Sequence, residues 1–275
     1  MGDVMILGLS ANPFHTGHSG LIKSAVFQLS CRGYSLSDVI LVPTGYPHPQ
    51  KMGQSVSFAH RMAMCTLGAM HIADELGDAA ISVRCTPLER LMQCSHAYPE
   101  PSYTIETLLV LLESRSLWNE RERIRDTRFI LLMSSDHLEG ECPQFGAWVG
   151  HESILERAVL AVCPRSSHHP NLSFIRSLRE TGTVELLDPV ASSTSSSDIR
   201  GLIRAGEDSA ALASSGLLPP AVAGYIRAHR LYCPGGEGGP GRPDAPLGIG
   251  SEHEEKRRSS CLCSSHIIDE VTHKS

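Results

Sequence analysis

The stretch that decides the fold is VMILGLSANPFHTGH, residues 4–18, which joins an apolar run to a turn and then to a helical segment. Residues 4–9 have the continuous apolar character of a strand that is buried on both faces. The Asn12-Pro13 pair indicates a turn, and residues 19–32 carry the apolar spacing of a helix. The sequence therefore predicts a strand, a turn and a helix in close succession.

Short apolar runs continue to alternate with helical stretches along most of the chain. Further strands are predicted at residues 38–42, 80–85, 128–133, 159–163 and 183–187. Helices are predicted at residues 57–77, from 104 onwards, at 197–205 and at 219–229, with Ser57 and Thr104 as candidate N-caps. This alternation predicts an α/β fold, a Rossmann-like and mostly parallel sheet with helices on both faces. Ligands of such a sheet bind at the carboxyl ends of its strands, and segments 87–102 and 139–152 are long enough to cover a site there.

The last part of the chain differs in composition from the rest. Residues 234–250 are rich in glycine and proline, and a charged stretch follows them. We therefore predict one folded catalytic domain at residues 1–233 and a disordered tail at residues 234–275. Cys261 and Cys263 lie close to a histidine in the tail, but their spacing is not a standard zinc pattern, so no metal site is predicted.

Composition restricts the class of protein. The chain has 275 residues, of which 41% are hydrophobic, so it can bury a large core. Its net charge is -6 and no stripe of Lys and Arg occurs before residue 255, which argues against nucleic acid as a partner. No apolar run approaches the roughly 20 residues that span a bilayer, so membrane binding is not expected. The nine cysteines are an odd number and mostly lie among apolar residues, which predicts reduced thiols in the cytoplasm, with a nuclear location left open. A homo-oligomer is compatible with this composition.

Two histidines stand at the start of the first predicted helix. His15 and His18 are three residues apart, so at a helix N-terminus both imidazoles can point to one place beside backbone N–H groups. Such a place favours a polyphosphate, and an imidazole donor there stabilises charge that develops on a phosphoryl group. Gly8 is expected to let the backbone turn and approach the ligand. Because the chain has 14 histidines, a pair at this spacing also arises by chance, and its place between strand and helix is what favours function.

A second polar segment, far along the chain, opens another predicted helix. Residues 195–200 read SSSDIR, and hydroxyl groups at a helix start either cap the helix or bind phosphate oxygens. Arg200 offers a planar fork of donors to a phosphate. If the two segments meet in the fold, each provides one half of a clamp for a triphosphate. A serine-rich cap without a ligand is the alternative.

The sequences HTGH at 15–18 and SSSDIR at 195–200 together resemble the nucleotidylyltransferase superfamily, whose hallmarks are His-x-Gly-His and Ser-Ser-[ST]-x-[IV]-Arg. Other stretches are similar to one branch of it, the nicotinate/nicotinamide mononucleotide adenylyltransferases. These stretches are Val42-Pro43, Pro47-His48, Ser57, His60-Arg61, Met64, SYTIETL at 102–108, Ser135-Asp136, Trp148, VCPR at 162–165 and the closing segment 219–232. The resemblance covers about residues 4–232 in the family's order, and SYTIETL is its most discriminating part.

That resemblance implies a role for each motif residue. The residues implied for ATP are Gly8, Ser10, His15, His18, Ser196, Ser197 and Arg200, with His18, His15 and Arg200 as the catalytic group. The residues implied for the mononucleotide are Lys51, Thr104, Asp136, Trp148 and Arg165, with Trp148 stacked on the pyridine ring. The family's Pro-Pro-His-Lys run is interrupted here at residues 47–51, so the basic side chain that meets the phosphates stays open. Taken alone, Trp148 also fits a core position, Thr104 and Asp136 fit helix caps, and Arg165 fits a surface ion pair.

The reaction that the resemblance implies belongs to NAD biosynthesis. The 5′-phosphate of a pyridine mononucleotide attacks the α-phosphorus of ATP, and pyrophosphate leaves. Because the nucleophile is already anionic, catalysis needs alignment and neutralisation of charge, with Mg²⁺ on the ATP oxygens. Two alternatives stay open: a related enzyme with another phosphorylated acceptor, such as pantetheine phosphate, and a non-catalytic nucleotide-binding or chaperone-like module. A Rossmann-type oxidoreductase is disfavoured, because no G-x-G-x-x-G follows the first strand.

Overall fold

The structure is a computed structural model, and it describes residues 2–46, 55–78, 80–94, 102–118, 128–164, 169–190, 194–233 and 235. These residues belong to one compact unit, Met1–Gly241. The tail predicted at residues 234–275 lies outside the described residues, apart from Gly235, and it stays a prediction.

Six parallel strands form a sheet in the order β3-β2-β1-β4-β5-β6. The strands are β1 (Asp3–Leu9), β2 (Leu36–Pro43), β3 (Ser82–Cys85), β4 (Phe129–Ser134), β5 (Ala158–Cys163) and β6 (Val184–Leu186). The chain builds the sheet outward from β1 to β3, then returns to the other side of β1 with β4. This reversal of direction leaves a crevice at the carboxyl ends of β1 and β4, which is where open α/β sheets bind their ligands.

Helices connect the strands. They are α1 (Thr16–Cys31), α2 (Phe58–Leu76), α3 (Leu88–Cys94), α4 (Thr104–Trp118), α5 (His151–Arg157), α6 (Leu172–Thr181), α7 (Ser196–Arg204), α8 (Ser209–Ser214) and α9 (Pro220–Ala228). Two short 3₁₀ turns, Ser135–Leu138 and Gln144–Ala147, follow β4. The predicted α/β fold is therefore confirmed.

Alternate side chains of β1 enter different cores, which explains why its sequence is continuously apolar. Met5 and Leu7 pack in a cluster with buried side chains of α1, α2, α7 and α9. Val4 and Ile6 belong to a second cluster, with α4, α5 and α6. A strand that is covered on both faces has no polar face, so its sequence lacks the alternation of a half-exposed strand.

Local signals set the bounds of α2 as the sequence predicts. The hydroxyl of Ser57 accepts a hydrogen bond from the backbone N–H of His60 at 3.4 Å, which satisfies one donor of the first turn. Gly77 ends the helix with φ 61°, a left-handed conformation that a residue without a Cβ adopts at little cost.

Two helix starts differ from the prediction. α1 begins at Thr16 rather than at residue 19, because the Thr16 hydroxyl donates to the carbonyl of Gly216 at 2.7 Å and so anchors an extra turn. Thr104 is the first residue of α4 and not its cap. At that end of the helix, the backbone N–H of Tyr103 donates a hydrogen bond to the Glu106 carboxylate at 3.0 Å.

Short helices were missed by the sequence analysis. α3 lies in the segment 87–102 and a 3₁₀ turn lies in the segment 139–152, the two segments that are long enough to cover a site. α5, α6 and α8, with 7, 10 and 6 residues, were also not predicted. Within the described ranges, no helix is both long and apolar enough to cross a membrane. The cysteines in these ranges are free thiols.

Candidate active site

A cavity of ≈ 570 Å³ lies at the carboxyl ends of β1, β2 and β4. The predicted residues that line it are Gly8, Ser10, His15, His18, Thr104, Asp136, Trp148, Ser196, Ser197 and Arg200. Lys51 and Arg165 lie outside the described residues, as do Pro47 and His48. The predicted site residues that the structure describes therefore share one cavity.

The two histidines of the HTGH segment lie against each other at the start of α1. Their ring centroids are 3.8 Å apart, and the ring planes are inclined by 31°. The backbone N–H of His15 donates to Nδ1 of His18 at 3.2 Å, so this nitrogen holds a lone pair. The neutral His18 ring must then carry its hydrogen on Nε2. His18 thus has a ring donor that suits a phosphate oxygen.

Arg200 reaches the same loop from α7. Its Nη1 donates to the carbonyl of Asn12 at 2.7 Å, and its Nη2 donates to the Ser197 hydroxyl at 3.2 Å. The Ser196 hydroxyl donates to the carbonyl of Pro13 at 3.0 Å, which adds a second link between the two motifs. Burial lowers the pKa of Arg200 from its ordinary 12.5, but a guanidinium stays charged in proteins at neutral pH. The cavity therefore contains a fixed cation beside the histidine pair.

The Asn12 side chain joins the loop after β1 to two other parts of the chain, residues 55–56 and Tyr232. Its Oδ1 accepts from the Tyr232 hydroxyl at 3.0 Å and from the backbone N–H of Val56 at 3.3 Å. Its Nδ2 donates to the Ser55 hydroxyl at 3.3 Å. Burial raises the pKa of Tyr232, so this phenol stays a neutral donor. Asn12 is 4% exposed, and its network holds the loop that carries both histidines.

Two ionisable side chains, Arg61 and Glu89, hold the end of β2 at the edge of the cavity. Arg61, only 1% exposed, donates to the carbonyls of Ser10, Thr44 and Gly45. Glu89 accepts from the backbone N–H of Gly45 at 3.1 Å and lines the cavity. Burial raises the pKa of Glu89 to about 7, against the opposing effects of the Gly45 hydrogen bond and the Arg61 charge.

Gly8 lies inside β1, opposite Val42 of β2, and does not form the turn that was expected of it. The turn comes after Leu9 instead, where Ala11 has φ 50°. A Cβ placed on Gly8 meets no atom within 4 Å, although the residue lines the cavity. Its missing side chain therefore leaves this part of the cavity open, and its contact with a ligand stays a prediction.

The other end of the cavity has an aromatic wall. Trp148 is partly buried, packs against the second core cluster and also lines the cavity. The sequence left open whether it is a core residue or a cavity residue, and in the structure it is both. Its ring lies 5.2 Å from that of His137 and 5.3 Å from that of Phe145. Asp136 stands in the 3₁₀ turn after β4, and its carboxylate accepts from the Ser134 hydroxyl. Thr104 faces this part of the cavity from the start of α4.

Asn12, Glu89 and His137 are among the lining residues that were not assigned to the site from sequence. For Asn12 a signal was present, because it precedes a proline within the strand-to-helix loop. His137 directly follows Asp136, so its position beside a predicted site residue was also a signal. Glu89 lies in the segment 87–102, for which no helix is predicted, and no local motif marks it as a site residue.

The chain is similar to several proteins of one kind. A protein of Synechococcus sp. (strain JA-3-3Ab) that is named probable nicotinate-nucleotide adenylyltransferase is 32% identical over 229 residues, which cover 82% of this chain and 93% of that one. One of Symbiobacterium thermophilum with the same name is 31% identical over 248 residues, which cover 88% of this chain and 100% of that one. No protein-family model matches the chain.

A solved structure shares the fold. That of Plasmodium falciparum nicotinic acid mononucleotide adenylyltransferase complexed with NaAD aligns with a TM-score of 0.55 and 16% identity, covering 84% of this chain and 98% of that one. The similarity in sequence to the curated relatives extends over most of both chains, in agreement with the resemblance of the motifs. The chain belongs to the nicotinate-nucleotide adenylyltransferase family.

Proposed function

We propose that this protein joins nicotinate mononucleotide to the AMP part of ATP and releases pyrophosphate, a step of NAD biosynthesis. A 5′-phosphate oxygen of the mononucleotide forms a bond to the α-phosphorus, and the bond from that phosphorus to the oxygen of the β-phosphate breaks. The observation that carries the proposal is the meeting of two distant segments, since His15, His18 and Arg200 line one cavity. The names of the curated relatives favour nicotinate over nicotinamide.

The triphosphate lies, in this proposal, between the start of α1 and the start of α7. His18 donates from Nε2 to the phosphate that becomes more negative in the transition state. Arg200 neutralises the negative charge of the leaving pyrophosphate. Its hydrogen bond to the Asn12 carbonyl holds the guanidinium in place for this role. Ser196, Ser197 and Ser10 supply hydroxyl groups along the path, and Gly8 leaves the space for it.

The mononucleotide lies at the other end, against the aromatic wall. The pyridine ring stacks on Trp148, with Thr104 at its edge and Asp136 between the two nucleotides. Lys51 and Arg165 complete this part of the proposal as phosphate or nucleotide ligands, on the resemblance of their motifs alone.

Magnesium enters, in this proposal, with the substrate as a complex with ATP. Mg²⁺ keeps several of its waters and binds proteins through one or two carboxylates, with substrate phosphates as its other ligands. Asp136 provides a carboxylate at the cavity wall. We therefore expect a chelator to abolish activity and added Mg²⁺ to restore it. The free cysteines of the described residues fit a reducing compartment, and the proposal places the protein in the cytoplasm.

A panel of acceptors tests the proposal. The protein is incubated with ATP and Mg²⁺ plus nicotinate mononucleotide, nicotinamide mononucleotide or pantetheine phosphate, and the dinucleotide and pyrophosphate are quantified. The expected result is fastest product formation with nicotinate mononucleotide. Faster reaction with pantetheine phosphate would assign the other acceptor, and background pyrophosphate with every acceptor would support a non-catalytic module.

A further inference from the structure

His137 packs against the edge of Trp148 in the cavity wall. The ring centroids are 5.2 Å apart and the planes are inclined by 68°, which is the edge-to-face arrangement that aromatic pairs prefer. Both residues line the cavity. His137 therefore contacts the indole that faces the ligand space.

Phe145 holds the indole from another direction. Its ring lies 5.3 Å from that of Trp148 and is fully buried. The backbone N–H of Trp148 also donates to the carbonyl of Phe145 at 3.0 Å, which closes the 3₁₀ turn before the tryptophan. The main chain of Trp148 is thus fixed by Phe145, while the angle of its ring depends on both neighbours.

His137 is itself held in place. Its Nδ1 lies 3.3 Å from the Oε1 of Gln144, and because an amide oxygen only accepts, Nδ1 carries the hydrogen. The next residue, Leu138, is fully buried and anchors the turn that carries His137. Gln144 belongs to the 3₁₀ turn that leads to Trp148, so this hydrogen bond joins the two turns of the wall.

We propose that His137 is a positioning residue of the mononucleotide site, which fixes the Trp148 ring in the orientation that stacks on the pyridine. This inference rests on the proposed function. An indole that is already oriented loses little rotational freedom when the ligand arrives, so preorganisation favours binding. The effect concerns the mononucleotide and not ATP, because Trp148 packs against the second core cluster, whereas the helix that carries Arg200 packs into the first.

The chain has two tryptophans, Trp118 and Trp148, which allows a direct test. In a Trp118→Phe background the indole of Trp148 is the one tryptophan fluorophore. Titration with nicotinate mononucleotide is expected to quench it, and His137→Ala is expected to weaken that binding about three- to tenfold, the range of an aromatic pair. Affinity for a non-hydrolysable ATP analogue and kcat at saturation are expected to stay within about twofold, a change too small to indicate a lost contact.

Two further variants separate the contacts. His137→Phe keeps the edge contact without the hydrogen bond to Gln144 and should recover most of the affinity. His169→Ala removes an exposed histidine that does not line the cavity, and it serves as the matched control with unchanged affinity. Time-resolved anisotropy of Trp148 without ligand should show faster local rotation in His137→Ala than in His169→Ala.

The outcomes distinguish this inference from the proposed function. Equal anisotropy and equal mononucleotide affinity in His137→Ala and His169→Ala would overturn the positioning role, even if dinucleotide is formed. An equal loss of affinity for both substrates would also overturn it. If the mononucleotide does not quench Trp148 and no dinucleotide appears, the proposed function fails and the positioning role fails with it.

Discussion

Arg200 donates a 2.7 Å hydrogen bond to the carbonyl of Asn12, a residue 188 positions earlier in the chain. This bond joins the start of α7 to the loop after β1. An arginine that is only 7% exposed needs such partners, since burying an unpaired cation is costly. The same guanidinium lines the cavity beside the histidine pair. The contact therefore fixes the position of a cation at the proposed phosphate site.

Arg200→Lys keeps the charge but loses the planar fork that reaches Asn12, Ser197 and the ligand together. We expect kcat/KM for ATP to fall by about 10²-fold, the loss typical when a fixed donor to the transition state is removed. Steady-state kinetics with varied ATP measures this. Arg204→Lys is the control, because Arg204 lies one turn later on the same helix and is exposed. An equal effect of both substitutions would contradict the assignment.

Gly8→Ala separates binding from stability. A Cβ on Gly8 meets nothing within 4 Å, so the fold tolerates it, and the free energy of unfolding should stay equal or rise by about 0.5 kcal/mol. The added methyl group enters the space proposed for the phosphates, so turnover should fall by at least about tenfold, which corresponds to about 1.4 kcal/mol. Urea unfolding and initial rates measure the two effects.

The control for this substitution is Gly224→Ala on α9, where an added Cβ also meets nothing within 4 Å. It is expected to leave turnover unchanged. Full activity of Gly8→Ala would show that the ligand does not pass beside β1.

Glu89 makes stability depend on pH. Burial raises its pKa from 4.5 to about 7, so the folded protein binds this proton more tightly than the unfolded chain. Its contribution to the free energy of unfolding is therefore largest at low pH and is lost as pH rises from about 4.5 to about 7. Above pH 7 the ionised carboxylate costs roughly 3 kcal/mol, at about 1.4 kcal/mol per pKa unit.

Glu89→Gln removes this cost, since an amide oxygen still accepts from the Gly45 N–H. The variant should match the original protein at pH 5 and exceed it by roughly 3 kcal/mol at pH 8. Urea unfolding at both pH values measures the difference, with the exposed Glu207→Gln as control. A constant difference between the two proteins across this range would show that Glu89 does not titrate there.

Much of the fold could be predicted from the sequence because its signals are local. The run at β1 is apolar on both faces, and α2 carries Ser57 and Gly77 at its ends. The short helix α3 could not be predicted, because 7 residues complete less than two turns of pattern. Its position depends on packing against the end of β2 rather than on its own periodicity.

The site was partly predictable for the same reason. HTGH and SSSDIR are contiguous motifs, and each can be recognised without the fold. Glu89 belongs to the cavity through its contact with Gly45, which lies 44 positions earlier in the sequence. His137 belongs to it through an edge contact with Trp148 between two 3₁₀ turns that the sequence does not predict. Gly8 was assigned to a turn because glycine often occurs in turns, whereas here it is a regular strand residue whose missing side chain matters.

The most direct test of the account is the rate of dinucleotide formation by the unmodified protein and by His18→Ala, measured side by side with their melting temperatures. Saturating ATP, Mg²⁺ and nicotinate mononucleotide are used. We expect the unmodified protein to form the dinucleotide and His18→Ala to be slower by about 10²–10³-fold, with a melting temperature lowered by no more than about 4 °C through loss of the hydrogen bond from the His15 N–H. Equal rates for the two proteins, or no dinucleotide from the unmodified one, would contradict the account.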